Sequence, residues 1–402
     1  LSTSEKLPSP RVSRSPPRAF FDERVRIYGY QLIVFGGFAW LAWFAFSTMS
    51  HNLAARGMQT GFSFLFVTAG FDTDFKLIDY RPGVGTYGRI FLIGILNTLF
   101  ISFFAIVAST TIAFVVGIAR VSPNWLVSRL ALAYVELIRN TPILMQIVMW
   151  HVVIFFALPK VRQSSDLFGL GIAFLNNRGL YLPSPVPGEM FWASVAALGV
   201  AVAAVVMLRR WAQRRQDLTG ARFPVLLVSL GIVLALPGAV FLATGAPLGW
   251  QVPAFQSFNY EGGVRLPPAF FILLIALTVY HSAHKAEAVR AGIQSVPKSQ
   301  FEAAHALGLR GGQTMRLVML PQAMRAIVPP LISGWLGVTR NASLGIAIGY
   351  PELVGLFMQT SLNQAGHAIE IVAMTMGFYM LLSFLIALLL NAYDRRMRIT
   401  EG

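Results

Sequence analysis

Apolar residues in this chain gather in long, nearly uninterrupted runs, without the alternation of a half-buried strand or the three-four spacing of a surface helix. Eight runs stand out, at residues 27–49, 87–118, 130–158, 191–208, 223–242, 268–289, 327–348 and 368–393. An α-helix rises about 1.5 Å per residue and a bilayer's hydrocarbon core is about 30 Å thick, so about 20 apolar residues suffice to cross it. The pattern predicts an all-α, polytopic membrane protein with about eight transmembrane helices and both termini on the same side. The run at 27–49 competes with a cleavable signal peptide, whose apolar core is normally about 7 to 15 residues, and its length favours an uncleaved anchor.

The segments between the runs divide the chain. Residues 1–26 are rich in Ser, Pro and Arg and read as a disordered basic tail, followed by an additional N-terminal helix at 27–49. Residues 85–158 and 267–393 form two blocks of spans, separated at 159–266 by an insertion holding two more; 394–402 is a short tail. The connecting segment 51–86 carries Asp72, Asp74 and Asp79, and 159–189 contains Leu-Tyr-Leu-Pro-Ser-Pro-Val-Pro. These segments, with 251–267, are expected either to pack over the mouth of a pore or to cross the interface as short surface helices.

Composition agrees with the membrane reading: 55% of residues are hydrophobic, 12% are charged, and mean hydropathy is +0.63. A formal charge of +15 would point to nucleic acid on a soluble fold. Placed relative to the runs, however, 21 Lys and Arg fall on the side of the N-terminus and 7 on the other, with Arg89, Arg139, Lys285 and Arg340 left at or inside span ends. That bias is the positive-inside signature; it sets both termini in the cytoplasm and accounts for the charge through topology and anionic lipid, with no nucleic-acid partner. The chain has no cysteine, and its six histidines form no metal-binding spacing; His281 and His284 share a helix face but lack a third ligand.

The loop at 290–325 is unlike a plain linker. Ser299 and Glu302, after Pro297, have the spacing of a capping box, and Gly308 suits a left-handed stop, which predicts a helix of about two turns. So short a helix is unstable alone in water and needs something to dock on. Ala303 and Ala304 would admit a close neighbour, and Phe301 and Leu307 would fill a pocket. A helical hairpin lying on the membrane is the alternative.

At this point the residues resemble a known family. Glu302-Ala303-Ala304, Gly308 and Leu320-Pro321 resemble the EAA loop of bacterial ABC import permeases, with Val318 where that family usually has Ile. Glu136-Leu-Ile-Arg139-Asn140-Thr141-Pro142 and Ala286-Glu287-Ala-Val-Arg-Ala-Gly-Ile293 are similar to segments of permeases for polar amino acids. Phe174-Leu-Asn-Asn-Arg178-Gly-Leu and Ala347-Ile-Gly-Tyr-Pro351-Glu-Leu-Val354 resemble the longer, general L-amino-acid permeases.

The resemblance implies a type I importer permease fold in the bacterial inner membrane. It also implies a homologous second permease subunit as heterodimer partner, two ATPase subunits and a periplasmic amino-acid-binding protein. Phe301, Glu302, Ala303, Ala304, Leu307, Gly308, Leu320 and Pro321 would couple this chain to the ATPase. The sequence holds no GxxxxGK[ST] loop, so no cofactor is expected in this chain, and ATP and magnesium would belong to the partner subunits. An ion-coupled carrier or a membrane scaffold is the alternative.

An amino acid crossing the membrane needs polar partners for both of its charges. Arg340, followed by Asn341 and Ser343, lies well inside the seventh run, and its guanidinium suits either a carboxylate or an internal pair with Glu136 or Glu370. Glu136 and Arg139 share a helix face, as anchors, a local ion pair or path residues. Asn97, Thr98 and Ser102 would form a polar seam unless the hydroxyls bond their own helix's carbonyls, and Pro329, Pro330, Gly334 and Gly337 would distort the seventh helix or simply reflect how frequent Pro and Gly are in spans.

Overall fold

The computed structural model describes residues 23–55, 61–221 and 223–397. Of the expected tails at 1–26 and 394–402, residues 1–22 and 398–402 lie outside the described residues, whereas 23–26 already belong to the first helix and 394–397 to the last described one. Among the described residues seven helices are long and apolar enough to cross a membrane, and a pair bent by 102° makes an eighth crossing if it counts as one span. The fold is mostly helical and polytopic, as the runs predict.

Helix α1 (Glu23–Ala55) covers the first run, and its side chains are exposed throughout Ile27–Met49. Helix α2 (Tyr87–Arg120) follows, its first turn capped by the Thr86 hydroxyl, which accepts from the Arg89 amide. At 34 residues it is about 51 Å long, more than the hydrocarbon layer requires.

The expected single span at 130–158 is corrected to two 15-residue helices, α3 (Trp125–Arg139) and α4 (Ile143–Ala157), bent by 102°. Pro142 explains the break. Proline disfavours helical backbone at the residue before it and lacks the amide that would continue the ladder. The exposed carbonyls are answered by a buried side chain, since Gln146 Nε2 donates to Ile138 O and Thr141 O, each at 3.0 Å.

The insertion is not purely helical: its connecting segments form strands and not the short surface helices of one expectation. Strands β1 (Ser165–Asp166), β2 (Phe174–Asn176), β3 (Gly179–Leu182) and β4 (Ser184–Pro187) precede helices α5 (Phe191–Thr219) and α6 (Val225–Ala243). Strands β5 (Leu248–Gln251), β6 (Ala254–Gln256), β7 (Asn259–Glu261) and β8 (Val264–Leu266) follow. An antiparallel sheet of order β1-β2-β3-β8 and a β4–β5 pair tie the two flanks of the α5–α6 hairpin together. Pro185 and Pro187 exclude a helix here and suit a two-stranded ribbon, where one side of each strand needs no ladder. Helix α5 runs past the predicted end at 208 to Thr219 and stops on Gly220, with φ +71°.

Helix α7 (Pro268–Gln294) is the axis of the bundle. Pro268, at its first turn, has the fixed φ a helix start needs. The helix packs on α2, α3 and α4 and on α10 (Leu320–Asn341), which follows the short helices α8 (Lys298–Ala306) and α9 (Gly311–Thr314). Glycine sets two of these approaches: a Cβ on Gly117 would lie 2.6 Å from Val289 Cβ, and one on Gly292 would lie 2.3 Å from Ile327 Cγ1. Ile101, Ile147, Leu273, Leu277 and Val338 fill one core cluster, and Ile293, Ala323 and Ile327 fill another at the α8 end.

The seventh span starts earlier than the run at 327–348 suggests, since residues Gly311–Ile348 form one crossing. A π-helical turn at Met315–Met319 precedes Pro321 and takes up its missing amide; Pro329 and Pro330 lie within α10 without ending it. Residues 349–367, including α11 (Leu362–Ala365), return against α2 before α12 (Ala368–Met397), the last helix among the described residues.

Candidate functional site

The α8 end of the bundle holds the loop singled out in the sequence. Helix α8 is nine residues long and close to the expected two turns, but its N-cap is Pro297 and no side chain caps it. The Ser299–Glu302 capping box is therefore not formed. Pro297 has already set the extended entry, so Ser299 falls inside the first turn rather than before it. The C-terminal expectation is met in detail: Gly308 has φ +75°, the Gly308 amide donates to His305 O at 2.9 Å, and the Leu309 amide donates to Ala304 O at 3.1 Å. This pair of bonds is a Schellman stop.

The two alanines divide. Ala304 is buried in the chain's own packing, whereas Ala303 and Glu302 are exposed. Phe301 is 46% exposed and Leu307 82% exposed, so the helix presents apolar side chains to whatever lies beyond it. Behind it lies a cleft of about 660 Å³ bounded by Ile293, Phe301, Met315 and Met319. Leu320 and Pro321 open α10 rather than join the α8 surface.

A charge cluster that sequence reasoning left unused anchors the base of this loop. Glu287 of α7 bonds Arg120 at the end of α2 at 3.3 Å and Arg290 Nε at 2.9 Å. Arg139 lies close enough to act on the same carboxylate. The segment leading into α8 is thereby tied to α2.

Midway along the bundle a second polar group is enclosed. Lys285 is 3% exposed, and its Nζ donates to Ser109 Oγ at 2.8 Å and to Thr110 Oγ1 at 3.3 Å on α2. Gly334 leaves room for its stem, with Lys285 Cε 3.3 Å from where a Cβ would stand. One turn away, His281 Nε2 lies 3.2 Å from Asn341 Nδ2. A lysine inside an apolar run was the available sequence signal for this group.

Other predicted path residues separate. Asn97 and Thr98 are fully buried and grip the Gly349–Leu353 turn: Asn97 Nδ2 donates to Pro351 O and Phe75 O, and Thr98 Oγ1 accepts from the Leu353 amide at 3.1 Å. Ser102 donates to Thr98 O. Asn97 and Thr98 are staples between α2 and the returning segment and Ser102 bonds within its own helix, so the three do not line an open seam. Arg340 is exposed and donates to Ser383 Oγ of α12 at 3.0 Å; among the described residues it pairs with neither Glu136 nor Glu370. Ser343 donates to Arg340 O. Glu136 and Arg139 are both exposed, and Glu136 accepts from Asn140 rather than from Arg139.

In the returning segment, Glu352 accepts from the Val354 and Gly355 amides, each at 2.7 Å. Burial nevertheless pushes its carboxyl up to about 8, against the lowering effect of the two amides.

Comparison with known proteins now adds to this geometry. Residues 222–399 match the family described as binding-protein-dependent transport system inner membrane component. The chain is 43% identical to the amino-acid ABC transporter permease protein YhdX of Escherichia coli K12, over 95% of this chain and 97% of that one. It is 41% identical to the general L-amino acid transport system permease protein AapQ of Rhizobium johnstonii, over 95% of each. With the glutamate/glutamine/aspartate/asparagine transport system permease protein BztB of Rhodobacter capsulatus it shares 34% identity, over 97% of this chain and 99% of the other. Seven or eight crossings, a helix displayed at one end and near full-length identity agree: this chain belongs to the amino-acid ABC transporter permeases, the multi-pass membrane subunits of importers that work with a binding protein and ATPase subunits.

Proposed function

We propose that this subunit forms part of the translocation path for L-amino acids of broad specificity, and that α8 is where ATP hydrolysis on a partner subunit moves it. The observation that carries the reading is the exposure of Phe301 and Leu307 on a helix whose own frame is fixed by buried Ala304 and the Gly308 stop. An apolar knob on a short, rigid helix transmits force only when a second surface closes around it. The Glu287 cluster passes such a displacement to α2, and Gly292 keeps α7 close enough to α10 to carry it along the bundle.

In this reading α8 and both termini face the cytoplasm, because the basic residues concentrate on that side, and the β sheet faces the opposite compartment. The complex comprises a homologous second permease, two ATPase subunits that hold ATP and magnesium, and an amino-acid-binding protein. Breadth of specificity is supported by 41% identity to a general L-amino acid permease along nearly the whole chain.

The test is reconstitution in liposomes. The chain alone is expected to give no uptake, and adding its ATPase, second permease and binding protein is expected to give ATP-dependent uptake of several chemically different amino acids. Uptake by the chain alone under an ion gradient would replace this reading with that of a secondary carrier.

A further inference from the structure

At the end of the bundle opposite α8 there is a cavity of about 310 Å³, placed where α4, α7 and the 342–349 turn meet the β sheet. Its polar lining has an unusual balance. Asp74 and Arg265 form an ion pair across it, whereas Arg178, in the β2–β3 turn, bonds only the Phe258 carbonyl at 3.2 Å. Among the described residues no carboxylate pairs with Arg178, which is exposed, so an open guanidinium stands at the rim of the cavity.

Two more groups on the same wall are incomplete. Asn177 Oδ1 and His151 Nδ1 are both buried and have no hydrogen-bond partner. Buried polar atoms in native proteins are nearly always bonded, so orphans on one cavity wall call for a ligand carrying polar groups of its own. The remaining wall, including Phe155 and Ile348, is apolar.

From this we infer that the cavity is a reception site for a free α-amino acid, with Arg178 taking the carboxylate, and Asn177 Oδ1 and Asp74 taking the ammonium. A guanidinium matches a carboxylate through two parallel bonds, and the ammonium needs acceptors, which the amide oxygen and Asp74 supply. The apolar wall would receive a side chain without selecting its chemistry, in keeping with broad specificity. The inference rests on the proposed amino-acid function and adds a site for the substrate at the mouth, before it enters the bundle. Arg178 and Asn177 belong to the Phe174–Leu180 stretch that resembles general permeases, which gives that stretch a task.

The experiment uses the assembled permease–ATPase complex in nanodiscs, without binding protein, and measures equilibrium binding of radiolabelled L-glutamine. Unlabelled L-glutamine should compete, whereas its methyl ester and its N-acetyl derivative should compete at least tenfold more weakly. Arg178→Gln and Asn177→Leu should each weaken binding about tenfold or more in complexes that still assemble. Wild-type complex that binds no L-glutamine, equal competition by the methyl ester, or wild-type affinity in Arg178→Gln would overturn the site. An Arg178→Gln complex that loses only its affinity for the binding protein would also overturn it, assigning the cavity to protein docking. Should either variant fail to assemble, the competition series on wild type decides alone. Uptake of amino acids by the wild-type complex with binding protein tests the underlying function separately, so a failed site leaves that function standing.

Discussion

The side-chain amide of Asn97 donates to the carbonyl oxygen of Pro351 across 2.7 Å, joining α2 to a turn 254 residues further along the chain. The same nitrogen donates to Phe75 O, and the Tyr350 hydroxyl donates back to Asn97 O at 3.0 Å. One buried amide therefore holds three segments. Asn97→Leu would leave the buried Pro351 carbonyl without a donor, since Phe75 O also accepts from Thr73 Oγ1, at a cost of about 1–3 kcal/mol for the unsatisfied group. The expected result is a lower thermal midpoint for the purified complex, restored toward wild type by bound substrate or partner. A variant with an unchanged midpoint and abolished transport would return Asn97 to the translocation path.

Glu352, in the same turn, gives a pH dependence. Its carboxyl titrates near 8 in the folded chain against an ordinary value of 4.5. Between those values the unfolded chain has released a proton that the folded chain retains, so stability falls as pH rises through that window and levels off above it. Thermal midpoints of the complex should decline from pH 5 to pH 8, and Glu352→Gln, which keeps one of the two acceptors for the turn amides and cannot titrate, should flatten that slope. An identical slope in the variant would assign the effect to other groups.

The sequence made the membrane class legible because apolar runs of bilayer length leave few alternatives. The EAA resemblance located α8, and Gly308 announced its stop. What remained hidden depends on tertiary partners. Nothing local shows that Gln146 will bridge the α3–α4 break, although Pro142 marks the break itself. Asn97 and Thr98 looked like path residues because polar groups inside a span call for a polar partner, and only the fold shows that the partner is the chain's own turn. The β sheet escaped notice because its strands are two to four residues long and pair across the whole α5–α6 hairpin.

Lys285 and Ser109 offer a test of buried-charge energetics. Removing the hydroxyl with Ser109→Val takes one of two acceptors from an enclosed ammonium and should cost about 1.5–3 kcal/mol, the range for a hydrogen bond to a charged group. Lys285→Met keeps similar length without charge, and such replacements are often neutral or stabilising. In the Lys285→Met background, Ser109→Val should then cost much less. A double-mutant cycle on thermal stability reads the coupling directly. If the two effects simply add, the contact contributes nothing and the hydroxyl matters for packing alone.

The coupling helix separates frame from contact, and two substitutions can report on each. Gly308 belongs to the frame: at φ +75° a β-branched side chain is strained, so Gly308→Val should cost about 1–2 kcal/mol or force the helix end to re-aim. Leu307 belongs to the contact, since at 82% exposure its side chain supports little of this chain's own packing. Leu307→Ala should leave the thermal midpoint of the isolated permease within the scatter of surface substitutions, about 0.5 kcal/mol, while lowering co-purification of the ATPase and its stimulation by loaded binding protein. Ser299→Ala is the control for the missing capping box, and because Pro297 begins the helix it should change neither property. The decisive comparison is between stability and coupling in the same preparations. Loss of both in Gly308→Val, loss of coupling alone in Leu307→Ala and loss of neither in Ser299→Ala would identify α8 as a rigid presenter of an apolar contact. Wild-type coupling in both Leu307→Ala and Gly308→Val would reduce it to a connector between α7 and α10.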